Sequence, residues 1–597
     1  MSFNGRIVLV LLAAAAVYLV GNSRIGLWDR DEPRYAQCSR QMLDSGDWVV
    51  PRLYDNLRAA KPPLIYWCQL AAMSAFGENA FAARVPSVLG MLATLIVLAI
   101  ALRRQCGREM AFWTIFILSS SALAIMAAKI CLTDSVLVLF TTIAQICLFL
   151  MWRGNRSWAV AIAMAAALGL GGITKGPFIL GTVAATAAAL GLFRMVGKCL
   201  TRRSDRRGRE REPETIALSA GTRLGINAPV RPNDVTTQTF GQRRNGAPPG
   251  LIPDYEPQRH GSDTRIAAQV IVSVAIITAI VLPWIILVHH RSPEFLGRIF
   301  LEAREHLENG KEGHNFPPGF HLMMVWPMFL PWSLLLPMAI GIGIQNRRVP
   351  EVRFALAATL GPWLMVEFIG TKLAHYFLSA YPAIAFLTAY AIMRNLRRES
   401  RDTESRPFLI GAGFWAAAVA GIGGLPWLAA RTFGLNQLPW RTMILLSLFT
   451  IAYGLVVMAL LHARKLGPAL LVMGGGMFVF MAMLCGLYFP NAPFLRISEH
   501  VAKVLKRQGA THKGDVLMVD YKEPSLGFYQ GGTIRECKKD ALLAMPFKAW
   551  PRWLVITPDV WEKMTLAERA GLRVIDRYTG WAYADRGRVL EVMVVEK

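Results

Sequence analysis

Charge is scarce in this sequence. Asp, Glu, Lys and Arg make up 18% of the 597 residues against 54% hydrophobic residues, and the mean hydropathy is +0.36. Apolar runs of about twenty residues recur throughout, so the composition excludes a soluble chain of several domains and leaves a polytopic helical membrane protein. Acids are the scarcer sign, 40 against 65 Lys and Arg. The net charge of +25 would suit nucleic acid, but most basic residues sit in short loops between apolar spans. Cytoplasmic retention accounts for them there, and no nucleic-acid partner is expected. The sequence has no Walker loop, no Rossmann glycine fingerprint and no nucleophile elbow, so soluble nucleotide chemistry lacks a site. The eight Cys show neither metal nor paired spacing, and several lie inside apolar spans. Residues 7–20, preceded by Arg6, lack a clean small-residue cleavage pattern and read as a retained first helix.

What is present is a succession of apolar spans near 7–23, 82–102, 110–128, 135–152, 158–173, 177–196, 266–288, 319–343, 354–370, 376–393, 408–429, 442–462 and 468–489, about thirteen helices by the length criterion. Alternate loops separate by charge. Arg103, Arg104 and Arg108, then Arg153 and Arg156, the run from Lys198 to Arg211, Arg347 and Arg348, the group from Arg394 to Arg401, and Arg464 with Lys465 all fall on one side. With a cytoplasmic N-terminus that side is the cytoplasm. The outer loop 24–81, the 129–134 and 174–176 turns, the 289–318 loop and the 371–376 turn then face outward.

This divides the chain into a transmembrane part, 1–200, a basic insert, 201–265, further spans, 266–489, and a tail, 490–597. The insert is rich in Arg, Gly, Pro, Asn and Thr without apolar periodicity, and reads as disordered and cytoplasmic. The tail alternates strand-like runs (516–520, 553–557, 573–578, 589–595) with helical stretches (498–507, 558–570), which predicts a small outward α/β domain.

On the outer face, Asp31 and Glu32 precede Pro33, an ordinary way to start a helix. A second acid, Asp134, sits in the turn of an apolar hairpin that also carries Lys129, and two acids facing one compartment at membrane depth favour a site. Lys61, Lys175 and Lys372 are single cations at outer helix ends. Each alone could snorkel to headgroups, but the positive-inside bias predicts few cations here, so together they suggest an anion to hold. A lipid-borne phosphate fits, with Arg34 or Arg58 as helpers. His289, His290, Glu305, His306 and His314 share the 289–318 loop but match no zinc spacing. No metal is expected, and substrate contacts or loop packing remain for His306 and His314. Trp28, Tyr35, Trp48, Tyr66 and Trp67 read as an interfacial belt, with sugar stacking open.

Several of these stretches together resemble a known superfamily. Asp-Glu-Pro-Arg-Tyr-Ala from Asp31, Ser-Gly-Asp-Trp from Ser45, Lys-Pro-Pro-Leu-Ile-Tyr-Trp from Lys61, Phe-Ala-Ala-Arg-Val-Pro-Ser from Phe81, Leu-Thr-Asp from Leu132, Ile-Thr-Lys-Gly-Pro from Ile173 and Lys-Leu-Ala-His-Tyr from Lys372 are similar to the bacterial aminoarabinose lipid A transferases and protein O-mannosyltransferases. These are membrane glycosyltransferases of the GT-C fold. The likeness runs over about residues 7–390, outside the insert.

The resemblance implies a polyprenyl-phosphate sugar donor used on the outer face of the bacterial cytoplasmic membrane, inversion at the anomeric carbon, and no cofactor. By it, Asp31 matches the first-loop catalytic acid, Glu32 its neighbour and Asp134 the second acidic site. Lys61 matches a donor-phosphate ligand, with Lys175, Lys372 and Tyr376 at further positions of that site. The residue before Lys61 is Ala60, where lipid A transferases often carry Glu, which weakens a metal role and the aminoarabinose assignment. The expected acceptor is an envelope glycolipid or polysaccharide. Protein Ser or Thr is the alternative, and a transporter or lipid flippase is the competing class.

Overall fold

The computed structural model of the protein describes residues 3–209, 263–308, 314–399, 401–585 and 587–597. Among them, nine helices are long and apolar enough to cross a membrane, and two bent pairs raise the number to eleven. The architecture is an all-α membrane bundle with a small C-terminal sheet domain. The first span, α1 (Phe3–Leu19), is short, and the stretch expected at 354–370 is a less apolar helix over Pro350–Glu367.

The outer loop after α1 is built rather than irregular. It holds α2 (Asp31–Ser45), a two-strand hairpin of β1 (Arg52–Leu53) and β2 (Asn56–Leu57), and α3 (Leu64–Phe76). Gly46, at φ 68°, ends α2 in the left-handed region that other residues enter at a cost. Pro62 and Pro63 precede α3 and Gly77 follows it, punctuation that confines the helix.

Next come α4 (Ala80–Gln105), α5 (Arg108–Ser120), α6 (Ala122–Lys129), α7 (Thr133–Trp152), α8 (Trp158–Lys175) and α9 (Phe178–Arg209). The expected span 110–128 is broken by 63° between α5 and α6. Ser120 and Ser121 turn their hydroxyls back on the carbonyls of Phe116 and Leu118, and the Ala122 amide donates to Leu330 instead of continuing the helix. The insert expected to be disordered over 201–265 is instead helical at both ends, since α9 runs on to Arg209 and α10 (Asp263–Arg291) begins at Asp263; its remainder, 210–262, lies outside the described residues.

After α11 (Glu294–Glu308) and α12 (Phe320–Met328), the chain bends by 119° before α13 (Leu336–Gln345), because Pro327 and Pro331 interrupt the backbone ladder. Helices α14 (Pro350–Glu367), α15 (Tyr381–Leu396), α16 (Arg406–Phe433), α17 (Trp440–His462) and α18 (Leu466–Met483) complete the bundle. Its largest apolar cluster draws Trp332, Phe116, Tyr381 and Met473 from four of these regions. Ion pairs Arg6 with Glu109 and Arg153 with Glu351 lie toward the arginine-rich loops.

The C-terminal region carries α19 (Ile497–Arg507), β3 (Val516–Val519), α20 (Pro524–Gln530), β4 (Arg535–Cys537), β5 (Trp553–Ile556), β6 (Arg573–Ala582) and β7 (Arg588–Glu596). The sheet order is β4-β3-β5-β7-β6, with β3 parallel to β4 and β5, and β7 antiparallel to β5 and β6. The four strand-like runs are strands. The three-residue β4 is too short for a periodicity signal, and the helical stretch 558–570 is two helices separated at Met564 and Thr565.

Candidate active site

Two helix ends of opposite sign meet at the outer face. Asp134 lies in the first turn of α7, where a carboxylate favours the helix dipole, and Lys175 lies in the last turn of α8, where an ammonium does. They pair, Nζ donating to Oδ1 at 2.7 Å, with both side chains under a tenth exposed. The Lys175 ammonium also sits 4.2 Å from the Tyr376 ring centre and 4.9 Å from that of Phe178, so aromatic faces complete its cage. His375 Nε2 stands 3.7 Å from Asp134 Oδ2. Asp134 is thus an anion that holds the Lys175 ammonium in place.

Around this pair the chain closes an open-mouthed cavity with about 680 Å³ of free space. Helix α2 contributes Asp31, Arg34 and Tyr35, and the turn before α3 contributes Arg58 and Lys61. Helix α11 brings Glu302 and His306, and His314 and Tyr376 complete the opposite wall. Asp31 is half exposed, 53%, with Arg34 Nη1 3.5 Å from its Oδ1. It is the carboxylate in the cavity most open to an incoming group. Among the described residues the Lys61 ammonium donates only to the Ala60 carbonyl, 3.0 Å. Burial, then the neighbouring Lys175 charge, pushes its pKa down to about 8. Arg58 is half-buried with its Nε lacking an acceptor. His306 Nδ1 lies 3.1 Å from Thr371 Oγ1, and the 370–372 strap donates backbone hydrogen bonds to the carbonyls of Leu307, His306 and His314.

Two residues expected in the site stand elsewhere. Glu32 is 1% exposed and faces inward, its carboxylate accepting from Arg84 Nη2 (2.6 Å) and Nε (3.0 Å) and from the amides of Trp28 and Cys131. Its valence is filled, so it cannot serve as a base without dismantling that bracket. Lys372 is buried and donates to the Ile369 carbonyl at 3.1 Å, outside the cavity, although its neighbours Thr371, Leu373, His375 and Tyr376 line it. Lys129 likewise turns away, capping the end of α1 through the carbonyls of Val17 and Val20.

Thr133, Glu302, Thr371 and His375 also line the cavity, though the sequence assigned them no part in it, and so does Tyr35, one of the aromatics left open to sugar stacking. Tyr35 and His375 lie inside motifs already quoted, and Glu302 is one helical turn before His306. Glu305 does not line it, and His289 and His290 are exposed at the end of α10. Among the described residues no three of His, Cys, Asp and Glu gather as a metal site. Of the expected aromatic belt, Tyr35 and Tyr66 are buried against each other, and Trp28 packs on Phe489 at the end of the last span and on Tyr583 of the C-terminal region.

Comparison with known proteins places these features in context. Residues 6–205 match the family described as dolichyl-phosphate-mannose-protein mannosyltransferase. Over 391 residues the chain is 26% identical to the undecaprenyl phosphate-alpha-4-amino-4-deoxy-L-arabinose arabinosyl transferase of Serratia proteamaculans, covering 64% of this chain and 58% of that protein. It is 27% identical over 412 residues to the Aeromonas salmonicida protein of the same name, covering 68% and 62%. The matches therefore span about three fifths of those relatives' length. Among solved structures, ArnT from Cupriavidus metallidurans bound to undecaprenyl phosphate is similar with a TM-score of 0.69 at 19% identity, over 99% of this chain and 98% of that one. Its apo form gives 0.67.

Proposed function

We propose that this chain, which belongs to the GT-C superfamily of aminoarabinose transferases and protein O-mannosyltransferases, is an inverting glycosyltransferase that moves a sugar from a polyprenyl phosphate to an envelope glycolipid or polysaccharide. The work is done on the periplasmic face of the cytoplasmic membrane. One observation carries the reading: an accessible carboxylate, Asp31, shares a cavity at the ends of membrane helices with Lys61, Arg58 and Lys175. The acceptor hydroxyl gives its proton to Asp31 as its oxygen attacks the anomeric carbon. The bond from that carbon to the phosphate oxygen breaks, and its electron pair leaves with the phosphate.

The leaving group gains a full negative charge in that step, from diester to monoester. Lys61 and Arg58, neither held by a carboxylate ion pair in the described structure, are the groups that can follow it, while Asp134 fixes Lys175 beside them. A phosphate so supported departs without a protonating acid, so one base suffices, unlike the two carboxylates of glycoside hydrolysis. The names of the relatives favour an undecaprenyl-phosphate donor, and the motifs similar to those of lipid A transferases favour a glycolipid acceptor. The family matched by residues 6–205 keeps protein acceptors as the second reading. Supplying radiolabelled donor to membranes separates the two, because label enters either extractable lipid or protein. Asp31→Asn should lower the transfer rate by about a hundredfold or more, the usual contribution of a general base, with thermal stability unchanged. A folded Asn variant transferring at the normal rate removes Asp31 as the base.

A further inference from the structure

A second concavity lies on the other side of α2 and shares no lining residue with the catalytic cavity. It encloses about 1150 Å³ of free space between the α1–α2 connection, the α3–α4 turn and α19. Five cations line it: Arg24, Arg40, Arg496, Lys503 and Lys506. The opposing carboxylates are Glu78 and Glu499.

Arg40 is engaged, its Nε 2.7 Å from Glu78 and its Nη atoms donating to the carbonyls of Phe528 and Gly531. Arg496 donates to the carbonyls of Arg24 and Pro490, with Glu499 at 4.0 Å. Arg24, Lys503 and Lys506 are exposed and form no ion pair among the described residues. Five cations against two carboxylates leave the concavity with an excess of positive charge, and like charges held together repel. An anion relieves that repulsion.

Its height in the fold says what carries the anion. Helix α1 ends at Leu19, α4 begins at Ala80 and the last apolar span ends at Asn491, so three span ends form the rim of the pocket. At the ends of α1, α3 and the last span, close in the chain to residues that line the pocket, Leu19 (42%), Phe76 (55%) and Leu487 (42%) are exposed apolar side chains. A basic cup above an apolar wall matches a molecule with an anionic head and a hydrocarbon chain. A free anion has no use for the wall.

We propose that this pocket holds the phosphate headgroup of an anionic membrane lipid, with a chain lying along the outer ends of α1 and α3. Because Lys503 and Lys506 belong to α19 and Arg24 to the α1–α2 connection, the lipid bridges the C-terminal region to the outer loop beside the end of α1.

The test uses the full-length protein in nanodiscs of phosphatidylcholine with and without phosphatidylglycerol, read by native mass spectrometry and by thermal unfolding. Wild type should retain phosphatidylglycerol over phosphatidylcholine and melt higher in its presence. Arg24→Gln/Lys503→Gln/Lys506→Gln should lose that preference by roughly ten- to a hundredfold, from about fivefold for each basic group near an anionic surface. Lys503→Arg/Lys506→Arg, which keeps the charge, should preserve it and controls for folding. Equal retention of both lipids by wild type, or undiminished preference in the triple Gln variant, overturns the proposal. Inorganic phosphate that alone reproduces the thermal shift and displaces the lipid also overturns it, assigning the cup to a free anion.

Discussion

Within the cavity the cations differ in what restrains them. Lys175 is locked by Asp134 and two aromatic rings, whereas Lys61 donates to one carbonyl and has its pKa pushed down to about 8 by burial and by Lys175. Lys61 is therefore partly neutral near the upper end of the physiological range in the free protein, and a bound phosphate restores its proton. The sign follows: the free protein loses the cation as pH rises through about 8, so donor capture weakens above that value. We expect kcat/KM for the polyprenyl donor to fall on the alkaline side with an apparent pKa near 8. Lys61→Arg, whose charge does not titrate there, should move that limb well upward. An unchanged limb in the Arg variant would assign the titration to another group. These distinctions were only half legible in the sequence. Asp31, Lys61 and Lys175 could be read because lone charges at outer span ends stand out against apolar runs. Lys372 has the same local signal, and its turn toward Ile369 is set by a backbone path that no spacing reveals.

The same limit governs the elements. Asp31 and Glu32 are adjacent on one helix, and a helical step of about 100° sends one toward the cavity and the other into the core. Which goes where depends on Arg84, fifty-two positions away. Arg84 is 1% exposed. It donates to Glu32 and to the carbonyls of Asn22, Ile25 and Gly26, so one guanidinium joins α4, the start of α2 and the end of the α1 connection. Glu32 extends the bracket to the α6–α7 turn through the Cys131 amide. The bracket fixes the direction in which α2 presents Asp31. Removing one partner of such a buried pair costs about 3–5 kcal/mol, because the other charge is left unpaired. Arg84→Met and Glu32→Gln should each lower the melting temperature and the yield of folded protein in detergent. Asp31→Asn should change activity alone. A Glu32→Gln protein of wild-type stability and no activity would return Glu32 to the chemistry.

At the scale of the whole molecule, the C-terminal region is docked onto the outer loop by two carboxylates of opposite pH preference. Asp55 accepts from Lys513 and Arg535, whose hydrogen bonds hold its carboxyl below the usual range. Its contribution is present above that range and lost as pH falls. Asp29 accepts from the Ser525 amide at 3.0 Å and from the Ser525 hydroxyl, while its own amide donates to the Tyr583 hydroxyl at 2.6 Å. Burial, then the facing Glu523, pushes its carboxyl up to about 8. For a carboxyl so raised, the folded state holds a proton that the unfolded chain has already released. Its contribution is complete in acid, declines by about 1.4 kcal/mol per pH unit above the ordinary carboxylate value, and is gone once pH passes about 8. The dock is therefore firmest near the ordinary carboxylate value, where the Asp55 contribution is complete and that of Asp29 has not begun to decline. Thermal unfolding of the full chain from pH 5 to about 9 should show wild type losing stability relative to Asp29→Asn up to roughly pH 8, and no further divergence beyond it. Glu523→Gln removes the second-largest cause of the shift, so the point at which the curves become parallel should move to lower pH. Parallel curves throughout, or a point of parallelism that ignores Glu523, would show that the Asp29 carboxyl is ionised in the dock and that the Ser525 amide and hydroxyl hold it as an anion.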